Sequence, residues 1–203
     1  MKKFVLYTAR FGKWGAPQTP KISIPDVDRF CFTDMDIRTK FYQVKKIKPE
    51  RLTSVRKQRR VKICIPDEIF DNYEYSVYVD GKRRVVIDFE WFLSQMEPHS
   101  DFVTRKHKRR DCIYDEGSFC IKREKDNKEI ILKQLEFYGS ENYPTHNGLA
   151  YSFIILRRHT KRMREFSRLW WEQIMKYSFR DQISLPYVAW KHDMKISLCG
   201  RPE

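Results

Sequence analysis

A chain of 203 residues with 41% hydrophobic and 15% aromatic side chains is long and apolar enough to bury one core, which excludes intrinsic disorder. No stretch approaches the roughly eighteen apolar residues of a membrane-spanning helix, so we expect a soluble chain with no transmembrane segment. The 41 Lys and Arg residues outnumber the 27 Asp and Glu and give a net charge of +14, which attracts nucleic acid, anionic membranes or phosphorylated small molecules. We expect a single domain over residues 1–203, alone or within a longer polypeptide.

The five cysteines are odd in number, scattered along the chain and never spaced as CxxC: Cys31, Cys64, Cys112, Cys120 and Cys199. This pattern favours reduced thiols over a disulfide framework or a zinc site. It predicts a reducing compartment, and therefore a cytoplasmic protein.

In chain order, the first half predicts short strands over 3–8 and 29–33, an edge strand over 41–47 and a basic helix over 51–64. The run 75–79 is rich in β-formers and almost without charge, which indicates a buried central strand. The second half alternates helix, strand, basic loop, helix, strand and helix, over 88–97, 101–104, 105–111, 127–138, 153–156 and 162–177. Strands alternating with helices predict an α/β domain with a mostly parallel central sheet flanked by helices.

The segment YSVYVDGK, residues 75–82, carries most of the chemical information. Ligands of open α/β sheets bind beyond the carboxyl ends of the strands, and Asp80 stands at such an end. A carboxylate there suits Mg²⁺ or Mn²⁺ shared with substrate phosphates. The alternative is a hairpin turn, since Asp-Gly before the β-rich run 84–87 is a common turn signal.

Three other polar units stand out, and each has a simpler structural alternative. In Arg180-Asp181-Gln182, Asp181 is either a site residue or a helix N-cap. The run Arg157-Arg158-His159-Thr160 follows a buried strand and is predicted at the same sheet edge as Asp80. The remaining unit places His107 near Arg110, Asp111 and Glu116.

A competing pattern is that of the metal-dependent nucleases. Pro66-Asp67 followed by Asp80-Gly81-Lys82 satisfies the loose PD…(D/E)xK form, in which two acidic residues hold Mg²⁺ and a lysine orients water. That mechanism needs Asp80 and Lys82 on one face of a strand. The sequence instead places Asp80-Gly81 at a strand end.

Taken in order, several segments resemble the glycosyltransferase-like domain of plant mucilage-related and pollen ceramidase-like proteins and the small glycosyltransferase domains of chlorella viruses. They are VLYTARFGKW, CFTD, YSVYVDGK, KHKRRDCIYDE, LKQLEFYG, LRRHT, LWWEQI and RDQISLPYV. The resemblance implies a GT-A-like fold and transfer of a sugar from a nucleotide-sugar, such as a UDP-linked hexose or deoxyhexose. The implied acceptor is a glycan or glycoprotein, and nucleic acid is not expected as a partner.

The resemblance also implies roles for individual residues. The nucleotide pocket would be formed by Tyr7, Thr8, Ala9 and Asp34, and Arg60 would reach toward the diphosphate. Asp80 takes the metal-binding position of the DxD motif, with Mn²⁺ or Mg²⁺ as cofactor, although Tyr78 stands where the first Asp of that motif would be.

The remaining implied roles concern the reaction itself. Arg157 and His159 would help to stabilise charge on the departing diphosphate. Asp181 and Gln182 resemble an Asp-Gln pair beside the anomeric carbon, where a carboxylate would stabilise an oxocarbenium-like centre.

Overall fold

The computed structural model describes residues 2–47 and 51–200. The strands are β1 (Lys2–Ala9), β2 (Lys21–Ile22), β3 (Asp28–Thr33), β4 (Gln43–Lys46), β5 (Tyr73–Val79), β6 (Val86–Ile87), β7 (Phe102–Lys106), β8 (Ala150–Arg158) and β9 (Ser197–Cys199). The helices are α1 (Ser54–Ile63), α2 (Asp67–Phe70), α3 (Phe89–Ser94), α4 (Ile113–Lys122), α5 (Lys128–Ser140), α6 (Lys161–Lys176) and α7 (Asp181–Lys191).

Seven strands form one sheet in the order β4-β3-β1-β5-β8-β7-β9, while β2 and β6 pair separately. Every neighbouring pair in the large sheet is parallel except the two that β8 makes, with β5 and with β7. Parallel neighbours need crossover connections. Helices α1 and α2 lie in the connection that leads to β5, and α4 to α7 lie between β7 and β9, whereas β1, β3 and β4 are connected without a helix. The predicted α/β domain with a mostly parallel, helix-flanked sheet is confirmed, and its arrangement is GT-A-like.

Both faces of the sheet are buried, which explains why its central strands are continuously apolar. On β1, Tyr7 lies in the cluster that contains Trp170, and the adjacent Leu6 lies in the cluster that contains Phe89. Successive side chains of a strand point to opposite faces, so these two clusters are the two sides of one sheet. The run 75–79 is apolar for the same reason, because β5 is buried on both faces.

Helix α6 confirms the apolar stripe predicted for 162–177. It begins after Thr160, whose hydroxyl accepts a hydrogen bond from the Met163 amide at 3.1 Å. Met163, Phe166, Trp170 and Ile174 are all buried against the sheet. The aromatic residues of this helix therefore belong to the core rather than to a stacking platform.

Three helices were not predicted from the sequence: α2, α4 and α7. Helix α4 contains Gly117, and helix α7 contains Pro186, residues that weaken a helical pattern. The predicted strand at 84–87 is reduced to β6, which pairs with β2 rather than with β5. The edge strand predicted at 41–47 is confirmed as β4, at one end of the sheet.

The cysteines are thiols, as their spacing predicts: four are buried, Cys64 is partly buried, and none forms a disulfide. Within the described residues, no helix combines the length and the apolar character required to cross a bilayer.

Candidate functional site at the carboxyl edge of the sheet

The order of the strands marks one place in the sheet for ligand binding. From β1 the chain proceeds to β3 and β4 on one side, and it then returns to β5 on the other side of β1. The carboxyl ends of β1 and β5 therefore flank a topological switch point. Open α/β sheets bind ligands in the crevice outside such a point.

Asp80 follows β5 directly and lies at this crevice. Its amide donates to the carbonyl of Phe153 at 2.8 Å, and its carbonyl accepts from the amide of Arg83 at 2.9 Å, which closes a tight turn. A Cβ on Gly81 would lie 2.6 Å from Cδ of Arg10, so this turn requires glycine. The strand-end interpretation is confirmed and the hairpin alternative is wrong, because β6 does not pair with β5.

A buried charge cluster lies beside Asp80. The Asp181 carboxylate is 2.5 Å from Nζ of Lys62 and 3.2 Å from Nε of Arg59, and it accepts a hydrogen bond from the Ser152 hydroxyl at 2.9 Å. The same Lys62 ammonium lies 3.8 Å from Oδ1 of Asp80. Lys62 thus stands between two carboxylates and connects the strand end to helix α7.

The electrostatics of the cluster keep Asp181 ionised. Burial raises the pKa of Asp181, but the charges of Arg59 and Lys62 outweigh it and hold that pKa well below the usual carboxyl range. Asp181 also occupies the first turn of α7, where the helix dipole favours a negative charge. The result is a fixed, buried negative charge.

Helix geometry explains how the cluster forms. Arg59 and Lys62 are three residues apart on α1, a spacing that places both on one face of the helix. The N-cap of α7 is Arg180, and no side chain caps this helix. The helix-cap interpretation of Asp181 is therefore wrong, because its carboxylate is directed at α1 rather than at its own backbone.

Tyr78 and Gln182 complete the surroundings of the two carboxylates. The Tyr78 hydroxyl donates to Asp80 at 3.2 Å, and burial followed by the charge of Asp80 raises the pKa of Tyr78 well above its usual value. The Gln182 amide donates to the carbonyl of Ala150 at 2.9 Å, and Gln182 also lines the adjoining cleft. In the Asp-Gln pair, Asp181 is therefore the buried charge, and Gln182 lies at the surface of the cleft.

The residues predicted for the nucleotide lie at the switch point, but most of them are enclosed. Tyr7, Thr8 and Ala9 are fully buried, and the Thr8 hydroxyl donates to the carbonyl of Val79 at 2.7 Å. Asp34 lies just beyond β3 with 22% of its side chain exposed, and it pairs with Lys57 at 2.6 Å. Of these four predicted residues, Asp34 presents a side chain at the surface of the crevice.

The three predicted cations lie elsewhere. Arg60 is exposed, whereas Arg59 is the member of this turn that reaches Asp181. The prediction that Arg157 and His159 share the edge of Asp80 is wrong, because β8 runs antiparallel to β5. Arg157 pairs with Ser76 in the middle of β5, and the amide of His159 donates to the carbonyl of Glu74 near the amino end. At about 3.3 Å per residue, that end lies more than 10 Å from Asp80.

Arg157 and His159 both form structural hydrogen bonds within the protein. The Arg157 guanidinium donates to the carbonyls of Lys62 and Ile63 at 2.7 and 3.0 Å, at the end of α1 where such carbonyls lack helical partners. Both ring nitrogens of His159 are bonded, to the carbonyl of Tyr73 and to the hydroxyl of Ser76. Arg157 therefore supports the turn of α1 that carries Lys62.

Three members of the cluster were missed by sequence reasoning: Arg59, Lys62 and Ser152. The first two were visible as basic residues three apart in a helix that precedes the Asp80 strand. Nothing in the local pattern of β8 singles out Ser152, because only the pairing of β8 with β5 brings it to this edge.

The donor set allows a limited role for a divalent cation. Asp80 offers one carboxylate, whereas the oxygens of Asp181 are engaged by Lys62, Arg59 and Ser152. Mg²⁺ is commonly held by one or two carboxylates together with substrate phosphates and water, so Asp80 fits a metal that arrives with a phosphate ligand. A separate group of three potential ligands, Cys112, Asp115 and His146, lies around the start of α4.

The geometry does not assemble the nuclease pattern. Asp67 lies in α2, which leads into the first residues of β5, and it pairs with Arg164 at 2.7 Å. Asp80 lies at the other end of β5, and Lys82 follows in a turn rather than in a strand. The two acidic residues of the pattern are therefore separated by the seven-residue strand.

Two sequence comparisons relate this chain to known proteins. The sequence model of the family described as TOD1/MUCI70, glycosyltransferase-like domain, matches residues 29–199. A probable hexosyltransferase, MUCI70 of Arabidopsis thaliana, is 26% identical over 144 residues, which cover 66% of this chain and 25% of the relative. The chain thus spans about a quarter of that relative's length. Because the family match extends from β3 through β9, the chain belongs to the TOD1/MUCI70 glycosyltransferase-like domain family.

Proposed function

We propose that this chain is a hexosyltransferase that moves a hexose from a UDP-sugar to a hydroxyl group of a glycan acceptor. The observation that carries the proposal is the buried Asp181–Lys62–Asp80 arrangement at the switch point of the sheet. Membership of the family and the similarity to a probable hexosyltransferase support it. The cytoplasmic location remains a prediction from the cysteines.

The first requirement of sugar transfer is to stabilise the negative charge that builds up on the departing nucleotide diphosphate. Lys82 is exposed in the turn after Asp80, and Arg180 is half-buried at the start of α7. Partial desolvation of the ammonium group, together with the nearby charges of Arg83, Arg59 and Arg180, lowers the pKa of Lys82 against the raising effect of Asp80. Cations thus converge beside Asp80, and they fit an anionic diphosphate.

Arg180 also has a buried hydrogen-bond donor that favours an anionic ligand. Its Nε is buried and forms no hydrogen bond with a described residue, although the guanidinium lies close to the Cys120 thiol. A buried donor of this kind costs free energy unless a ligand satisfies it. In our proposal Arg180 and Lys82 contact the diphosphate, while Arg59 and Lys62 hold Asp181.

Mn²⁺ or Mg²⁺ on Asp80 would add Lewis-acid stabilisation of the diphosphate charge when it is bound. The Tyr78 hydroxyl, which donates to Asp80 at 3.2 Å, orients the carboxylate for this role. The Lys62 ammonium lies 3.8 Å from the same carboxylate and offers it a counter-charge.

The sugar carbon gains positive character as the bond to the diphosphate breaks. Asp181 is 2% exposed, so we assign it an electrostatic role as a fixed negative charge that stabilises this carbon. Gln182 is its neighbour on the cleft side and would hydrogen-bond the sugar. The pair thus retains the role implied by the resemblance, with Asp181 acting through its field.

One experiment tests the proposal. UDP should raise the melting temperature of the protein more in Mn²⁺ than in chelator, because a ligand of the folded state stabilises it. Asp80→Asn should keep the wild-type melting temperature without ligand, lose the metal-dependent increase, and abolish sugar transfer. Asp26→Asn, an exposed aspartate before β3, is the matched control and should behave as wild type.

Other outcomes would overturn specific parts of the proposal. Equal stabilisation by UDP with and without metal would remove the metal from it, and near wild-type transfer by Asp80→Asn would reduce Asp80 to a turn residue. Stabilisation by DNA and by no nucleotide would favour the nuclease. If the protein is a nuclease, Lys82→Ala should abolish its nuclease activity. If it is a glycosyltransferase, the same variant should only weaken sugar transfer.

A further inference from the structure

A second concave surface adjoins the site on the side away from β1 and β3. It is a cleft of about 1010 Å³ between the turn after β5, the end of β7 with its following loop, and the start of β8. All three segments lie at the carboxyl edge of the sheet, because β8 runs antiparallel and begins where β5 ends. Gln182 lines the cleft and so joins it to the Asp181 cluster.

The cleft is strongly basic. Eight lysine and arginine residues line it, against the single carboxylate of Glu116. That carboxylate is already engaged by Arg110, through contacts of 2.7 and 2.6 Å. Six of the others form no ion pair with a carboxylate of the described residues: Arg83, Arg84, Lys106, Lys108, Arg109 and Lys125.

Backbone and side-chain contacts hold these charges together. Nδ1 of His107 accepts hydrogen bonds from the amides of Arg109 and Arg110, at 3.3 and 3.0 Å, which folds the loop after β7. Arg83 donates to the Tyr151 hydroxyl at 2.6 Å, while its buried Nε has no partner among the described residues. Like charges fixed in one cleft repel one another, so an anion bound there would relieve this repulsion.

The contents of the cleft distinguish among anions. The Arg83 guanidinium lies over the rings of Tyr151 and Phe153, and that of Arg110 lies over Phe119 at 4.0 Å from the ring centroid. A guanidinium therefore occupies part of the aromatic surface of each ring, which leaves less of it for stacking with nucleic acid bases. A ligand of this cleft is bound by charge, and the volume is large enough for several sugar rings.

We infer that this cleft binds the acceptor and that the acceptor is an anionic saccharide, with carboxylate or phosphate groups that pair with the loop after β7 and with Arg83 and Arg84. The inference rests on the proposed function, since the donor is assigned to the switch point between β1 and β5. Asp80 and Gln182 then stand where the two ligands meet.

The test measures binding of four probes to the wild-type chain by calorimetry. They are a uronic acid tetrasaccharide, the same tetrasaccharide after reduction of its carboxyl groups, a neutral tetrasaccharide with a terminal phosphate, and a single-stranded DNA 20-mer. We expect the uronic acid or the phosphorylated probe to bind at least tenfold more tightly than the reduced one. The stronger of the two identifies the anionic group.

The variant Lys108→Gln/Arg109→Gln removes two exposed cations of the cleft and should weaken that binding by roughly tenfold, with UDP affinity unchanged. Lys128→Gln/Lys133→Gln removes two exposed lysines of α5, outside the cleft, and is the charge-matched control, which should bind as wild type.

Equal binding of the charged and reduced probes overturns the inference, and so does equal weakening in the control variant. Preference for the DNA, lost in the cleft variant, also overturns it in favour of nucleic acid. The proposed function fails separately: anionic saccharide bound in the cleft without sugar transfer would sink the transferase and keep the cleft. Transfer of sugar to neutral acceptors alone would keep the transferase and overturn the inference about the cleft.

Discussion

Asp181 stabilises the fold through its ion pairs with Arg59 and Lys62, in addition to its proposed role in transfer. Replacing it with alanine leaves the buried cations Arg59 and Lys62 without a counter-charge, and breaking a buried ion pair in this way costs about 3–5 kcal/mol. We therefore expect Asp181→Ala to lower both stability and transfer. Urea unfolding at neutral pH measures the first effect. Asp115→Ala, an exposed aspartate in the first turn of α4, is the matched control. A fully stable Asp181→Ala protein would contradict the buried cluster.

The same ion pairs predict a pH dependence of stability. The pKa of Asp181 is lower in the folded chain than in the unfolded chain, so protonation favours unfolding. Its contribution is complete above the ordinary carboxyl pKa of about 4 and declines as the pH falls below that value. Asp181→Asn should lack this part of the acid destabilisation, which unfolding curves at a series of acidic pH values would show.

His159 predicts a second pH effect at a milder pH. Burial lowers the pKa of His159 to about 4, and the charges of Arg157 and Arg164 act in the same direction. The unfolded chain binds a proton near pH 6.5 and the folded chain does not, so stability falls as the pH drops from about 6.5 to about 4. Nuclear magnetic resonance titration of the ring should give the low value. A ring titrating near 6.5 would show that it is not buried as described.

The residues of the site could be predicted only in part. Asp80 was identified by its position at a strand end, and Asp181 through the resemblance, because both signals lie in short stretches of sequence. Arg59 and Lys62 were missed in favour of Arg60, because composition does not fix which face of a basic helix points inward. That face is determined by packing against β1 and α6, which is a long-range property.

At the scale of elements, the contacts of Thr160 show why the basic run 157–160 was predicted at the wrong edge of the sheet. The Thr160 hydroxyl caps α6 and donates to Asp101 at 2.7 Å, at the edge of the sheet opposite to Asp80. Thr160→Ala should cost about 1–2 kcal/mol of stability, and Thr160→Ser should restore most of it. UDP affinity should be unchanged in both variants, as measured by calorimetry. A loss of UDP affinity in a stable Thr160→Ala protein would return this segment to the site.

The elements that the sequence predicted are those with strong local patterns. β5 and α6 carry an uninterrupted apolar run and a clean apolar stripe, and both were found. Helix α7 contains Pro186, and nearly all of its surface is buried. It therefore has no polar face, and its sequence lacks the alternation of apolar and polar residues that predicts a helix. The direction of β8 was missed for another reason. A strand's sequence reports burial, whereas its direction depends on the connection that precedes it.

At the scale of the molecule, the carboxyl edge of the sheet divides into two regions on either side of Asp80. The parallel strands β4, β3, β1 and β5 form the switch point, where the nucleotide is proposed to bind. The strands β8, β7 and β9 border the basic cleft, which is proposed to hold the acceptor. A reaction between two ligands needs both at one point, and helix α7 begins there with Asp181 and Gln182.

The net charge of +14 should then act on the rate at which the donor arrives. A positive field raises the association rate of an anionic ligand, and salt screens it over about 10 Å at 0.1 M. We expect the association rate constant of UDP, from stopped-flow tryptophan fluorescence, to fall roughly tenfold between about 20 and about 200 mM NaCl. The dissociation rate constant should change much less.

Uridine is the control ligand, because it carries the base and the ribose without the charge of the diphosphate. Its association rate constant should be nearly independent of salt. If both ligands show the same salt dependence, screening of the diphosphate is not the cause, and the basic surface does not steer the donor. If UDP shows no dependence while the uronic acid tetrasaccharide does, the positive field serves the acceptor cleft alone. The distribution of charge over the carboxyl edge, rather than the net charge of the chain, would then determine which ligand is attracted.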